Sequence, residues 1–92
     1  MRRAYICSPL SGNISGNIEN AKRYARYALE CGMAPFIPHF YALILNDDNE
    51  EERNLGMLAG LSMLWVCDAV WVFGDEITEG MKTEICFAEK LN

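Results

Sequence analysis

Apolar positions along the chain follow two different periods. Short continuous apolar runs at 4–7, 34–38 and 68–73 are typical of buried parallel strands, and a longer stretch with helical spacing follows each of them. The last run is the most continuously apolar, and we expect it to be fully buried. The pattern therefore predicts the order β-α-β-α-β-α along the chain.

Polar residues predict where the three helices begin and end. Asn17 is an acceptable N-cap for the first helix, and Gly32 is its stop. The acidic turn 47–52 favours the start of a second helix that runs to about Val66, since carboxylates stabilise a helix N-terminus. We interpret that turn as a start signal and not as a metal site. A third helix begins near 78–80.

This order predicts a three-layer, flavodoxin/Rossmann-like α/β fold with a small parallel sheet. Ninety-two residues correspond to one domain, 1–92. Ligands of an open parallel sheet bind beyond the carboxyl ends of its strands. Candidate chemistry is therefore expected in the loops 8–13, 38–50 and 74–80.

Composition restricts the partners. The net charge is −5 and no basic cluster exceeds Arg2 and Arg3, which argues against a duplex nucleic-acid surface and leaves small molecules as ligands. Neither a signal peptide nor a membrane span is visible. The four cysteines form no Cys-x-x-Cys pair and are expected to be reduced and buried as small hydrophobes, so we expect a cytoplasmic protein.

The second helix is apolar on two sides, which predicts self-association. One arc carries Leu55, Leu58, Leu61, Ser62 and Trp65, while Met57 and Leu64 occupy nearly the opposite arc. With 51% hydrophobic residues in a small domain, we expect a homodimer or higher homo-oligomer that uses Met57 and Leu64.

Glu84 is the most informative polar residue. At 100° per residue it falls on the same arc of the third helix as Met81 and Ile85, which should face the sheet. Burying a carboxylate is costly unless it has partners, which favours a functional role. The alternative is a side chain at the rim that reaches solvent or forms a salt bridge with another helix.

Other candidates are weaker. Thr78 and Gly80, after Asp75 in the turn 74–80, suit an anion at a helix N-terminus, but they equally suit simple capping. His39 could act as a base or ligand contact, although a loop histidine is usually structural. No cysteine or acid spacing indicates a metal, and no redox cofactor is expected.

Three segments, 5–12, 67–72 and 80–88, resemble nucleoside 2-deoxyribosyltransferases and related deoxynucleotide N-glycosidases, in particular their short uncharacterised, partly phage-borne relatives. The resemblance implies that Glu84 is a nucleophile that forms a glycosyl-enzyme and that Tyr5 positions it or the sugar. The substrate-binding residues expected with it are Ser8, Pro9, Ser11, Gly12, Asn13, His39, Asp75, Thr78 and Gly80.

The sequence departs from that family at two places. The family's general acid falls here on Gly60, and a C-terminal strand is missing. Protonation of the leaving base contributes about 10²–10⁴-fold to such rates. We therefore expect either an enzyme that cleaves or transfers the N-glycosidic bond of a nucleoside or nucleotide, or a catalytically weak nucleotide-binding module. A purely structural oligomerising domain is the third alternative.

Overall fold

Three parallel strands form the centre of the chain in the computed structural model, which describes residues 1–91. The sheet order is β2-β1-β3, with β1 in the middle, so the predicted small α/β fold is confirmed. The elements in chain order are β1 (Arg2–Cys7), α1 (Ile14–Glu30), β2 (Met33–Phe36), a 3₁₀ helix (Pro38–Leu43), α2 (Glu50–Leu64), β3 (Ala69–Val72) and α3 (Glu79–Leu91).

The central strand β1 has packed side chains on both faces of the sheet. Tyr5 is in register with Phe36 and Val70, and all three pack with Leu64 of α2 and Met81 of α3. Because successive strand residues point to opposite faces, the intervening positions face α1. The helix α1 accordingly contacts β1 and β2, and its Tyr27 lies against Trp71, the register partner of Ile6. The sheet is thus the middle of three layers.

The strand β3 is shorter and less buried than its apolar sequence predicts. It spans Ala69–Val72, and Val72 is 46% exposed. The prediction of a fully buried strand over 68–73 was wrong because β3 lies at an edge and pairs only with β1. Asp68 precedes β3 and still contacts β1, since its carboxylate accepts a hydrogen bond of 2.7 Å from the Arg3 amide.

The first helix begins one turn earlier than predicted. Asn13 is its N-cap, and the Asn13 side chain accepts from the Gly16 amide at 3.3 Å. Asn17, predicted to be the cap, lies within the helix and donates to the Leu10 carbonyl at 2.8 Å. Both residues are short amides that suit a cap, so the choice depends on the path of the loop 8–13.

The second helix turns its predicted contact face inward. Leu64 is buried in the core, and Met57 lines a cavity instead of the outer surface. The outer face carries Leu58, which is 63% exposed, and Trp65, which is 70% exposed, together with Leu55. The prediction that Met57 and Leu64 form an association surface was therefore wrong, because both lie on the inward face of α2.

The cysteines are less buried than expected, although all four are free thiols. Cys7 is buried and Cys67 is half-buried, whereas Cys31 and Cys86 are exposed. Cys31 caps the end of α1, and Cys86 lies on the solvent side of α3, two residues from the buried Glu84. Within residues 1–91, no helix is long and apolar enough to cross a bilayer.

Replacing Asn13 by alanine should lower the free energy of unfolding by about 1 kcal/mol, because the Gly16 amide loses its acceptor. Chemical denaturation measures the change. The matched control is Asn20→Ala within α1, where alanine should be neutral or slightly stabilising. An equal loss in both variants would contradict the capping role of Asn13.

Candidate functional site

A cavity of about 570 Å³ opens at the carboxyl end of β1, between the 3₁₀ helix, α2 and the start of α3. Tyr5 and Glu84 contribute to its wall, although 79 positions separate them in the sequence. Ligand cavities commonly measure about 300–1,000 Å³, so the space suits a small organic molecule. Its position agrees with the usual binding edge of an open parallel sheet.

Glu84 is held by one donor on each carboxylate oxygen. The side chain is 7% exposed and faces β1 from the first turns of α3. The Tyr5 hydroxyl donates to Oε2, and the Cys7 thiol lies 3.4 Å from Oε1 and donates to it. Tyr5 and Cys7 are two residues apart on β1, so both point to the α3 face.

The start of α3 fixes where Glu84 stands. The Thr78 hydroxyl oxygen accepts from the Met81 amide at 3.2 Å and so caps the start of α3. Met81, three residues before Glu84, is buried against β1. Met81 and Glu84 therefore lie on the face of α3 that meets the sheet.

The electrostatics of Glu84 reflect a competition between burial and hydrogen bonding. Burial raises the pKa of the Glu84 carboxyl above its ordinary value, and the bonds from Tyr5 and Cys7 offset part of that rise. Burial and the adjacent Glu84 raise the pKa values of the Tyr5 hydroxyl and the Cys7 thiol, so both remain neutral donors. Within residues 1–91, no lysine or arginine forms a salt bridge with Glu84. Glu84 is therefore neither a rim residue nor an ion-pair partner.

His39 is 3% exposed and fastens the first loop to the 3₁₀ helix. Its Nε2 lies 3.0 Å from the Ser8 carbonyl oxygen, 3.1 Å from the Pro9 carbonyl oxygen and 3.1 Å from Ser8 Oγ. Because carbonyl oxygens only accept, Nε2 must carry the proton and donate. The Ser8 hydroxyl proton is then free to point elsewhere, and Ser8 lines the cavity.

The other ring nitrogen of His39 is an unprotonated acceptor. Nδ1 is buried and has no hydrogen-bond partner in the described part of the chain. Burial lowers the pKa of His39, although its bonds to the Ser8 and Pro9 carbonyls act in the opposite direction. The ring is therefore neutral near pH 7 and contributes no positive charge to the cavity.

The structure brings most of the sequence-predicted residues to this cavity. Five of the expected binding residues line it together with Tyr5 and Glu84, namely Ser8, Ser11, His39, Thr78 and Gly80. Pro9 and Asp75 line a second space of about 390 Å³ on the other side of the loop. Asn13 caps α1, and Gly12 makes the turn with a φ of 97°; neither lines either space.

Sequence reasoning missed cavity residues in the 3₁₀ helix, in the turn that follows it and in the first turn of α2. Tyr41 and Leu45 supply apolar wall, while Asp47 and Arg53 supply charge. The connection 38–50 was identified as a ligand-site loop, but His39 was the one residue in it that was singled out as a ligand contact, and the acidic turn 47–52 was interpreted as a helix start. The inward face of α2 was the available signal, since its small residues Gly56 and Gly60 line the cavity.

Gly60 allows α2 to approach the Tyr5 hydroxyl closely. A Cβ at this position would lie 3.0 Å from Tyr5 Oη and 3.4 Å from Pro38 Cβ. The residue to which the resemblance assigns the missing general acid is thus part of the same wall as Tyr5 and Glu84. In the described residues, no three histidine, cysteine or acidic side chains are grouped so that they could hold a metal ion.

The fold and this site define a small parallel-sheet α/β domain with a buried, hydrogen-bonded glutamate in the wall of a ligand-sized cavity. The chain belongs to the family described as Domain of unknown function (DUF7768), whose model matches residues 2–92. Searches among curated proteins and among solved structures found no match.

Replacing Glu84 by glutamine should stabilise the folded protein at neutral pH, by on the order of 1 kcal/mol, because a buried charge is removed. Folding raises the Glu84 pKa, so wild-type stability is highest below the unfolded value and falls as pH rises through the folded value. The advantage of glutamine should therefore grow with pH and then level off. Thermal melts from pH 4 to 8 measure it.

The control for this prediction is Glu89→Gln on the exposed side of α3. It removes the same charge without desolvation, so its effect on the melting temperature should change little over the same pH range. Equal pH dependence in the two variants would contradict the desolvation of Glu84.

Replacing Cys7 by alanine should raise the Glu84 pKa further, because Oε1 loses its donor. Cys7→Ser keeps a hydroxyl donor of similar size and should leave the pKa near the wild-type value or below it. The direct measurement is an NMR titration of the ¹³C-labelled glutamate carboxyl. If alanine and serine gave the same Glu84 titration, the thiol would have no influence on the carboxylate.

Proposed function

We propose that this protein cleaves or transfers the N-glycosidic bond of a nucleoside or nucleotide, with Glu84 as nucleophile. The observation that carries the proposal is the Glu84 carboxylate, desolvated and held by Tyr5 and Cys7 in the wall of a ligand-sized cavity. A structural glutamate would gain stability from solvent or an ion pair, whereas this one is kept where its ionisation costs free energy.

In the proposed reaction, a Glu84 oxygen attacks the anomeric carbon of the sugar. The bond from that carbon to the base nitrogen breaks, its electron pair leaves with the base, and the base takes a proton from solvent or an acid. Water, or an N–H nitrogen of a second base, then attacks the same carbon, loses its proton to solvent and releases the Glu84 carboxylate. Tyr5 orients the nucleophile by its hydrogen bond to Oε2.

The spatial grouping of the expected residues supports this proposal. The resemblance to nucleoside 2-deoxyribosyltransferases drew on separate segments near both ends of the chain. Tyr5, Ser8, Gly80 and Glu84 from those segments line one cavity, and so does Gly60, at the position of the family's acid. These residues therefore lie where one small ligand could contact all of them.

Gly60 favours a second candidate, a nucleotide-binding module with weak or no turnover. A glycine has no side-chain proton to donate to the leaving base, so the roughly 10²–10⁴-fold increase in rate that such donation supplies is lost. In this alternative the cavity binds the same class of ligand, and Glu84 contacts the sugar without attacking it.

Incubation of the purified protein with 2′-deoxynucleosides and their 5′-monophosphates, followed by chromatography of free base, should show release that Glu84→Gln abolishes. The control Glu89→Gln should retain the wild-type rate, since Glu89 is exposed and remote from the cavity. Mass spectrometry of quenched protein should detect the glycosyl adduct on Glu84. Binding without release in every case would favour the module and contradict the enzyme.

We also propose that the protein works as a homodimer or higher homo-oligomer in the cytoplasm. The supporting features are the exposed apolar residues Leu55, Leu58 and Trp65, on a stretch of α2 that carries no charged side chain from 55 to 65. The exposed thiols of Cys31 and Cys86 suit a reducing compartment.

Light scattering should therefore give a mass above that of one chain, and Leu58→Glu should reduce it to the monomer, because a carboxylate in an apolar contact loses its hydration. The control Leu29→Glu changes an exposed leucine on α1 and should leave the assembly intact. A wild-type protein that stays monomeric at high concentration would overturn the proposal.

A further inference from the structure

The charges that line the cavity are mostly negative. The carboxylates are Asp47, Glu52, Glu79 and Glu84, and Arg53 is the one arginine or lysine that lines the cavity with them among residues 1–91. Glu79 is partly neutralised because Lys82 Nζ lies 3.2 Å from its Oε1. The remaining three carboxylates still outnumber the one cation, and the neutral His39 adds nothing to the positive side.

Two of the polar groups that could bind a phosphate are already engaged with acidic or backbone partners. The Ser11 hydroxyl donates to Asp47 Oδ2 at 3.3 Å, so a phosphate at Ser11 would lie beside a carboxylate. At the start of α3, the Thr78 oxygen accepts from the Met81 amide at 3.2 Å. A phosphate there would have Glu79 and Glu84 as neighbours in the same wall.

An uncharged sugar does not meet this obstacle. Its hydroxyl groups both donate and accept, so they can hydrogen-bond to the carboxylates of Asp47 or Glu84 and to the free Ser8 hydroxyl proton. A 5′-phosphate carries a charge of about −1.5 to −2 at pH 7 and would be repelled by the same carboxylates.

We infer that the cavity accepts an uncharged nucleoside and discriminates against its 5′-monophosphate, through the carboxylates of Asp47, Glu52 and Glu84. This inference rests on the proposed function for the class of ligand and narrows it to the unphosphorylated form. Asp47 acts as a specificity residue: it accepts from the Ser11 hydroxyl and places a negative charge in the cavity wall beside that hydroxyl.

The test compares binding of the four common 2′-deoxynucleosides with binding of their 5′-monophosphates, by NMR titration of wild-type protein at pH 7.5 and low salt. For the base that binds best, the nucleoside should bind about tenfold or more tightly than its monophosphate, and the difference should shrink as salt screens the carboxylates. Asp47→Asn should reduce the ratio of nucleoside affinity to monophosphate affinity several-fold. Glu89→Gln removes an equal charge outside the cavity and should leave it unchanged.

The outcomes separate this inference from the proposed function. If the nucleoside binds more tightly than its monophosphate but no base is released, the selectivity is retained and the catalysis is overturned. Tighter binding or exclusive cleavage of the monophosphate would retain the catalysis and overturn the selectivity. An unchanged difference in Asp47→Asn would overturn the role of Asp47, and failure of every nucleoside and nucleotide to bind would overturn both proposals.

Discussion

The carboxylate of Glu84 lies under two neutral donors on the central strand, and this contact constrains the rest of the molecule. A buried carboxylate is tolerated only when its oxygens have partners, and Tyr5 and Cys7 provide one for each oxygen. Both donors must then point to the same face of β1, and α3 must present Glu84 to that face. Met81, one turn before Glu84 on α3, is buried on the same face.

The neighbouring elements complete the cavity around this contact. The 3₁₀ helix places His39 where its protonated nitrogen binds two consecutive loop carbonyls, so the first loop is held against the mouth of the cavity. The helix α2 approaches from the opposite side and contributes small residues near Tyr5. The result is a cavity in which the buried Glu84 carboxylate lies beside Tyr5, with apolar and acidic side chains around them.

Helical periodicity was sufficient to place Glu84 on the sheet side, because Met81 and Ile85 define that arc independently of any tertiary contact. It could not choose between Asn13 and Asn17 as the cap, since both amides suit the role and the path of the loop decides. Nor could it decide which arc of α2 is inward, because apolar residues occur on both. There the inward face is selected by Gly60, which lets α2 approach Tyr5, and by Leu64, which packs in the core.

Gly60 also has an evolutionary consequence. A glycine codon and an aspartate codon can differ by one base, so an acid could arise at this position in a single mutational step. Its Cβ, however, would stand 3.0 Å from the Tyr5 hydroxyl that holds Glu84. Gain of the acid would therefore require a small shift of the group that orients the carboxylate, so the same mutation would act on both the proton donor and the nucleophile.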